Sequence, residues 1–363
     1  MNKETSFMRR ALRLAERGRG RVSPNPAVGA VVVQDGDVVG EGWHRGPGAP
    51  HAEIEALQAA GGRARGSTLY LTLEPCTHEG RTPPCAPAVI ASGIARAVIA
   101  TEDPNPQERG AGIAALRAAG VAVEVGLLED DARALIAGFA RWIVERRPFV
   151  TLKLAMSIDG RVAAADGSSR WITGEAARLD AHRERARADA VLVGVGTVLA
   201  DDPALTCRVR GYKGPQPLRV VLDSSARTPR DASLLSDEAP TLIATSAKAT
   251  EEAAEELRAR GADVVRFPTR DGRVDIAAVL DELGRRDVCE LLAEGGPAVA
   301  GELVELRAVD RYVFYVAPKV IGQVGLAAIA GVIAPSITDA RALEITSVRR
   351  IGNDIKIEAK AGD

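Results

Sequence analysis

His51, Glu53, Cys76 and Cys85 are the residues of this chain whose types and spacing carry the sharpest chemistry. They stand as His51-Ala52-Glu53, then Pro75-Cys76, then Cys85 after eight intervening residues. One imidazole and two thiolates form a borderline-soft donor set suited to zinc, and three protein ligands leave a fourth tetrahedral position for water, whereas a structural site is normally closed by a fourth Cys or His. Zinc brings the pKa of bound water toward ~7 and so yields a nucleophile at neutral pH. Glu53, two positions past the histidine, is suited to carry protons between that water and a departing amine. The competing reading is two buried free cysteines beside an incidental histidine. With only four Cys and four His in 363 residues, so tight a grouping is a poor coincidence. His44 and His78 flank the set as alternative ligands or, better, as pocket walls.

His-x-Glu followed by Pro-Cys-x-x-Cys is the signature of zinc deaminases. This chain departs from it: Glu79 stands where the second Cys would be, and Cys85 comes six residues later. The second half carries a different signal. After Gly194-Val195-Gly196 the expected third glycine is Leu199, so the usual dinucleotide fingerprint is absent. Glu294-Gly295-Gly296-Pro297 nevertheless joins a strand pattern to a helix pattern, and such a turn lets phosphate approach bare amides at a helix N-terminus; a mere tight turn is the competing reading. Lys153 is an odd residue for an apolar strand and is a candidate for assisting at a reacting carbon. Cys207 and Cys289 lack partners and read as inert.

Elements to hold these residues follow from periodicity. A helical face of Phe7, Ala11, Leu14 and Ala15 precedes a β-branched run at 28–34, and Asp35-Gly36 is a hairpin turn leading into 38–42. Helix is expected from near His51, strand at 68–73, helix at 86–92, strand at 95–100, helix at 112–119 and strand at 121–125. A helix at 130–147 turns Leu135, Ile136, Phe139 and Ile143 inward and ends at Pro148. His51 and Cys85 thus sit at helix starts, where the dipole favours a thiolate. Beyond Pro148, strands at 150–155, 190–195, 218–222, 241–245, 263–267, 288–293 and 311–317 alternate with helices at 175–188, 251–260, 276–286 and 298–306. Such alternation implies parallel sheets covered on both faces. The chain reads as two α/β domains, 1–147 and 148–363.

Composition is that of an ordinary globular protein: 46% apolar, 26% charged, net charge −2. The N-terminus has no apolar signal-peptide core, and the uncharged stretch 320–338 is broken by Gln323, Pro335, Ser336 and glycines, too short for a membrane helix. Four cysteines make no disulfide scaffold. A cytoplasmic protein with no membrane or nucleic-acid partner is expected, since there is no basic surplus and aromatics are only 3%.

SPNPAVGAVVV (23–33), GWHRGPGAPHAE (42–53) and EPCTHEGRTPPC (74–85) resemble the deaminase domain of riboflavin biosynthesis, a cytidine-deaminase-like fold whose long Cys-to-Cys insert accounts for the departure noted above. LKLAMSIDGRVA (152–163), SRWIT (169–173), GVGTVLADDPALTCR (194–208) and LLAEGGPAVAGELV (291–304) resemble the dihydrofolate-reductase-like domain that follows it in the bifunctional enzymes of that pathway. The resemblance implies zinc on His51, Cys76 and Cys85, Glu53 as proton shuttle, Asn25 at the pyrimidine edge and Arg81 as a phosphate contact or a solvated loop arginine. It further implies NADP (bound as NADPH) on Ala155, Trp171, Thr197, Asp201, Ser224 and the turn Gly296, Pro297, Ala298, Val299, Ala300, Gly301 and Glu302. Ser169, Arg185, Leu205, Arg208 and Glu294 would take the sugar-phosphate substrate, Arg185 and Arg208 as forked phosphate donors. The reactions implied are hydrolytic deamination of a diaminopyrimidinone ribosyl phosphate and reduction of its ribosyl group to ribityl, in a homo-oligomer. The rival readings are a nucleic-acid base deaminase with a non-catalytic second domain and a structural zinc protein.

Overall fold

The computed structural model describes residues 3–331 and 334–362. It divides into two units, Met1–Arg146 and Arg147–Asp363.

The first unit runs α1 (Lys3–Ala15), β1 (Gly29–Gln34), β2 (Asp37–Trp43), α2 (Ala52–Ala60), β3 (Thr68–Leu71), α3 (Cys85–Ala91), β4 (Arg96–Ile99), α4 (Ala111–Ala118), β5 (Ala122–Val125), α5 (Glu129–Leu135) and α6 (Ala137–Glu145). β1 is apolar from Gly29 to Val33 because both its faces are covered there. Ala30 and Val32 pack with Ala52 and Ala56 of α2 and Val89 of α3. Val31 and Val33 pack with Met8, Ala11 and Leu14 of α1. The sheet order is β2-β1-β3-β4-β5.

Two expectations need correction. The sheet is mixed, not parallel: β1 is antiparallel to β2 and to β3, and only β3, β4 and β5 run together. The Asp35-Gly36 turn, left-handed at both residues (φ 53° and 87°), sets β2 against β1, since a two-residue loop joins only antiparallel strands. The single helix expected at 130–147 is two helices, broken at Ile136 (φ −105°, ψ 15°). Trp142 takes the buried position there, while Phe139 and Ile143 are half-buried.

The second unit begins with β6 (Phe149–Ser157), β7 (Arg161–Ala163), α7 (Glu175–Arg187), β8 (Ala190–Gly194), α8 (Val195–Asp201), β9 (Leu218–Leu222) and β10 (Thr241–Thr245). It continues with α9 (Glu251–Arg258), β11 (Asp263–Arg266), β12 (Thr269–Arg270), β13 (Arg273–Val274), α10 (Ile276–Arg285), β14 (Glu290–Ala293) and α11 (Pro297–Glu305). β15 (Arg311–Ala317), β16 (Leu326–Ala327), β17 (Leu343–Ile351) and β18 (Asp354–Ala361) complete it. Its main sheet has the order β11-β10-β9-β8-β14-β6-β15-β18-β17. The strands are parallel up to β15, and β18 and β17 close the edge as an antiparallel hairpin that the alternation of patterns did not reveal. Val150, Leu152 and Leu154 meet Val279 and Leu283 of α10 on one face. Val191, Val193 and Val221 meet Leu257 of α9 on the other.

α7 docks differently. The Lys356 ammonium of β18, fully buried, lies 2.9 Å from Asp180 and 2.6 Å from Glu184 of α7, and the Tyr315 hydroxyl donates to Asp180 at 2.8 Å. Within 320–338, Val332 and Ile333 lie outside the described residues. No helix among the described residues is long and apolar enough to cross a membrane.

Candidate functional site

In the first unit the sequence candidates converge on one cavity of about 290 Å³, lined by Asn25, His44, His51, Glu53, Cys76, His78 and Arg81 among others. It opens at the carboxyl ends of the parallel strands: Cys76 follows β3 and Asp103 follows β4, the place where open α/β sheets put ligands. His51 caps the N-terminus of α2 and Cys85 begins α3, so two loops and two helix starts carry the donors. The ligand atoms of His51, Cys76 and Cys85 all lie within 4.8 Å of one another. His51 Nδ1 is 3.6 Å from Cys76 Sγ and 3.2 Å from Cys85 Sγ. The donor set and spacing fit a zinc ion bound by these three residues, with no fourth Cys, His, Asp or Glu in the cluster among the described residues.

The hydrogen bond from Cys85 lowers the Cys76 pKa to about 4, and the same contact pushes the Cys85 thiol up. Glu53 is 3% exposed, and burial raises its pKa, the direction a proton carrier at neutral pH needs. His44 is a wall rather than a ligand: its Nδ1 donates to the Pro50 carbonyl at 3.2 Å, leaving Nε2 to accept from Asn25 Nδ2 at 3.0 Å. His78 also lines the wall.

Asp103 and Asn105 line the cavity too and escaped the sequence reading. Burial pushes the Asp103 carboxyl up to about 6. The buried Glu74 fastens this loop by accepting the amides of Asp103, Gly110 and Ile113 at 3.1, 2.9 and 3.0 Å. Asp103-Pro104-Asn105-Pro106 directly after a strand was the signal that could have found them. Phe139 and Ile143, expected in the core, line the cavity instead.

Two cavities of the second unit gather its sequence candidates. One, of about 580 Å³, is lined by Lys153, Ala155, Ser169, Trp171, Arg185, Thr197, Asp201, Leu205, Arg208 and Glu294. Thr197 and Asp201 lie on α8, a short helix that the strand-and-helix alternation does not predict. Arg185 is not free to fork a phosphate: Nε and one terminal nitrogen grip Glu294 at 2.6 and 3.1 Å, and the other donates to the Thr206 carbonyl at 3.1 Å. Lys153 Nζ adds a contact to Glu294 at 3.3 Å. Burial opposes the charge on Glu294, but Arg185 and then Lys153 hold its pKa below the ordinary range. Arg208 is exposed, and His182, unforeseen, also lines the cavity. Burial, then Arg185 and Arg208, pushes the His182 pKa down to about 4.

The other cavity, about 480 Å³, is lined by Ser224, Ala298, Val299 and Glu302 with Arg227, Lys248 and Arg273. Gly296 is the cap and Pro297 the first residue of α11, as the turn required. Ala300 and Gly301 are buried and are not on this wall; a Cβ on Gly301 would lie 1.8 Å from the Ala330 carbonyl oxygen.

Comparison with known proteins decides the family. Residues 1–101 match the cytidine and deoxycytidylate deaminase zinc-binding region, and residues 148–357 match the RibD C-terminal domain. The riboflavin biosynthesis protein RibD of Aquifex aeolicus is 43% identical over 98% of this chain and 97% of its own. That of Escherichia coli is 40% identical over 96% and 97%. The chain belongs to the RibD family.

RibD structures share its architecture. Acinetobacter baumannii RibD matches at a TM-score of 0.89 with 35% identity, covering 99% of both chains. The Thermotoga maritima deaminase/reductase matches at 0.88 with 36% identity, again over 99% of both. This RibD-family chain is therefore a bifunctional enzyme of riboflavin biosynthesis, a zinc-binding cytidine-deaminase-like domain with hydrolase activity followed by a RibD reductase domain with oxidoreductase activity.

Proposed function

We propose that the first unit deaminates 2,5-diamino-6-(5-phosphoribosylamino)pyrimidin-4(3H)-one and that the second reduces the ribosyl chain of the product with NADPH. The Thermotoga maritima relative, a diaminohydroxyphosphoribosylaminopyrimidine deaminase and 5-amino-6-(5-phosphoribosylamino)uracil reductase by name, supports both substrates. The observation that carries the reading is the buried Glu53 carboxyl in the same cavity as the His51, Cys76 and Cys85 donor set.

Zinc held by those three residues would supply water acidified for attack at neutral pH. Glu53 would carry a proton from the attacking water to the amine as the carbon–nitrogen bond breaks. Water enters, ammonia leaves, and a ring carbonyl replaces the amino group. Asn25, held by His44, faces the pyrimidine edge.

In the second unit NADPH, when bound, would supply a hydride, and with one proton from solvent the ribosyl group would become ribityl. Ala155, Trp171, Thr197 and Asp201 would hold the nicotinamide end, and Ser224 with Ala298, Val299 and Glu302 of the 296–302 turn would take the adenosine end, Ala300 and Gly301 being buried behind them. Ser169, Leu205 and Arg208 hold the sugar phosphate, Arg208 as the exposed forked donor. Arg185 acts by orienting Glu294, which with Lys153 faces the reacting sugar.

We place the chain in the cytoplasm, which its four free cysteines support. We further propose a homo-oligomer: the sheet edge β17 leaves Ile345 and Val348 exposed, an edge of the kind that pairs with another chain.

Purified protein incubated with the diaminopyrimidine, with and without NADPH, tests the central reading. Mass spectrometry should show amino-to-oxo exchange without NADPH and the further gain of two hydrogens with it. Unchanged substrate with zinc-loaded protein would refute the deaminase assignment.

A further inference from the structure

The cavity beside α11 carries positive charge that the adenosine contacts named above do not use. Of the described residues lining it, Arg227, Lys248 and Arg273 are cations and only Glu302 is acidic. The three cations come from separate segments: the loop after β9, the loop after β10 and the β12–β13 hairpin. Hydrogen bonds tie those segments into one wall. The Ser224 hydroxyl accepts the Val274 amide at 2.9 Å, the Ser246 hydroxyl donates to the Ser224 carbonyl at 2.8 Å, and Lys248 Nζ donates to the Gly272 carbonyl at 2.6 Å. The hairpin turns through Asp271 and Gly272, both left-handed (φ 49° and 73°), which sets Arg273 at the start of its returning strand.

Arg227 and Arg273 are exposed, and among the described residues neither guanidinium makes a hydrogen bond or an ion pair. Arg185 is the contrast, with its fork committed to Glu294. Glu302 is half-buried; burial raises its pKa although Arg273 opposes the shift, so it resists a bound anion less than an exposed carboxylate would. In dinucleotide sites a carboxylate takes the free 2′-hydroxyl of NADH, whereas an arginine accommodates the 2′-phosphate that distinguishes NADPH. Here Asp223 follows β9, but it is fully buried and its Oδ2 accepts the Thr228 amide and hydroxyl at 2.7 and 2.8 Å. The arginines, and not Asp223, line the cavity.

We propose that Arg227 and Arg273, with Lys248 beside them, select NADPH over NADH by holding the 2′-phosphate of its adenosine ribose. This rests on the reading of this cavity as the adenosine end of the NADPH site.

Binding without turnover tests it, by calorimetric titration with NADPH, NADH, adenosine 2′,5′-bisphosphate and adenosine 5′-monophosphate in the absence of pyrimidine. The parent should bind each 2′-phosphorylated ligand more tightly than its counterpart. Arg227→Ala and Arg273→Ala should each weaken NADPH and the bisphosphate about tenfold, the size of one charge-assisted contact, and leave NADH and the monophosphate within about twofold. Circular dichroism should match the parent, since both side chains are exposed. Equal weakening of NADPH and NADH, an unchanged NADPH affinity in the double variant, or a parent with no preference for the 2′-phosphate would each overturn the proposal. Ala298→Trp, which fills the cavity from α11, separates this from the reading beneath it: it should weaken NADPH and NADH alike. Unchanged affinity for both in that variant would refute the adenosine-end reading itself.

Discussion

Glu53 shows how one carboxyl acquires a task from its surroundings. An exposed glutamate is ionised and solvated at neutral pH; this one is buried on the cavity wall, and the loss of solvent raises its proton affinity although His51 and Cys85 pull the other way. The glutamine of Glu53→Gln keeps the shape and cannot exchange protons at neutral pH. Deamination should therefore fall by ~10²–10⁴-fold, while zinc content by metal analysis and the reductase rate stay at parental values. A zinc-loaded Glu53→Gln protein that deaminates normally would remove Glu53 from the mechanism. The Arg185–Glu294 contact makes a related point in the second unit, since an arginine read as a phosphate donor has its fork committed to a carboxylate.

Among elements, α2 is set by what β2 lacks. A Cβ on Gly42 would lie 2.2 Å from the Ala52 carbonyl oxygen and 2.6 Å from the Ala56 amide, and one on Gly40 would lie 2.1 Å from the Ala56 carbonyl oxygen. The two glycines let the helix seat directly on the strand, and the start of that helix holds His51 and Glu53. Gly42→Ala must push α2 outward, at a cost of about 1–3 kcal/mol for an overpacked contact. The first unit should unfold at lower urea concentration and bind zinc more weakly by competition with a chromogenic chelator. An unchanged zinc affinity in folded Gly42→Ala protein would show that this seating does not set the metal geometry. α7 is fixed by charge instead: Asp180 and Glu184 engage the buried Lys356, which turns His182 and Arg185 of the same helix to the cavity.

For the whole molecule, each unit builds its own core and its own cavity from its own residues. The proposed zinc ligands end at Cys85, and the residues lining the large cavity of the second unit begin with Lys153. Removal of zinc with a chelator should abolish deamination and leave NADPH oxidation at its initial rate when the deaminated ribosyl intermediate is supplied. Loss of both activities in protein that remains folded by circular dichroism would mean that the metal supports the reductase as well.

Much of this was legible in the chain itself. His-x-Glu and the two cysteines announce their chemistry because few other arrangements bring such donors together, and Asp35-Gly36 between β-branched runs dictates a hairpin through backbone sterics alone. Apolar runs such as 30–33 and 190–193 mark central strands because both faces must be covered. The closing hairpin of β17 and β18 was hidden for the opposite reason: its many charged residues mimic a solvated loop, and Lys356 becomes an interior residue only once Asp180 and Glu184 arrive from α7. Asp103 and Asn105 were likewise invisible as site residues, because what brings them beside Cys76 is the parallel pairing of β3 and β4, a contact between strands distant in sequence. Local spacing determines which chemistry the ligands can do, since it is fixed by covalent connectivity and short-range sterics. Which further groups face the substrate is decided by long-range packing, because only the folded sheet brings the ends of its strands into one cavity.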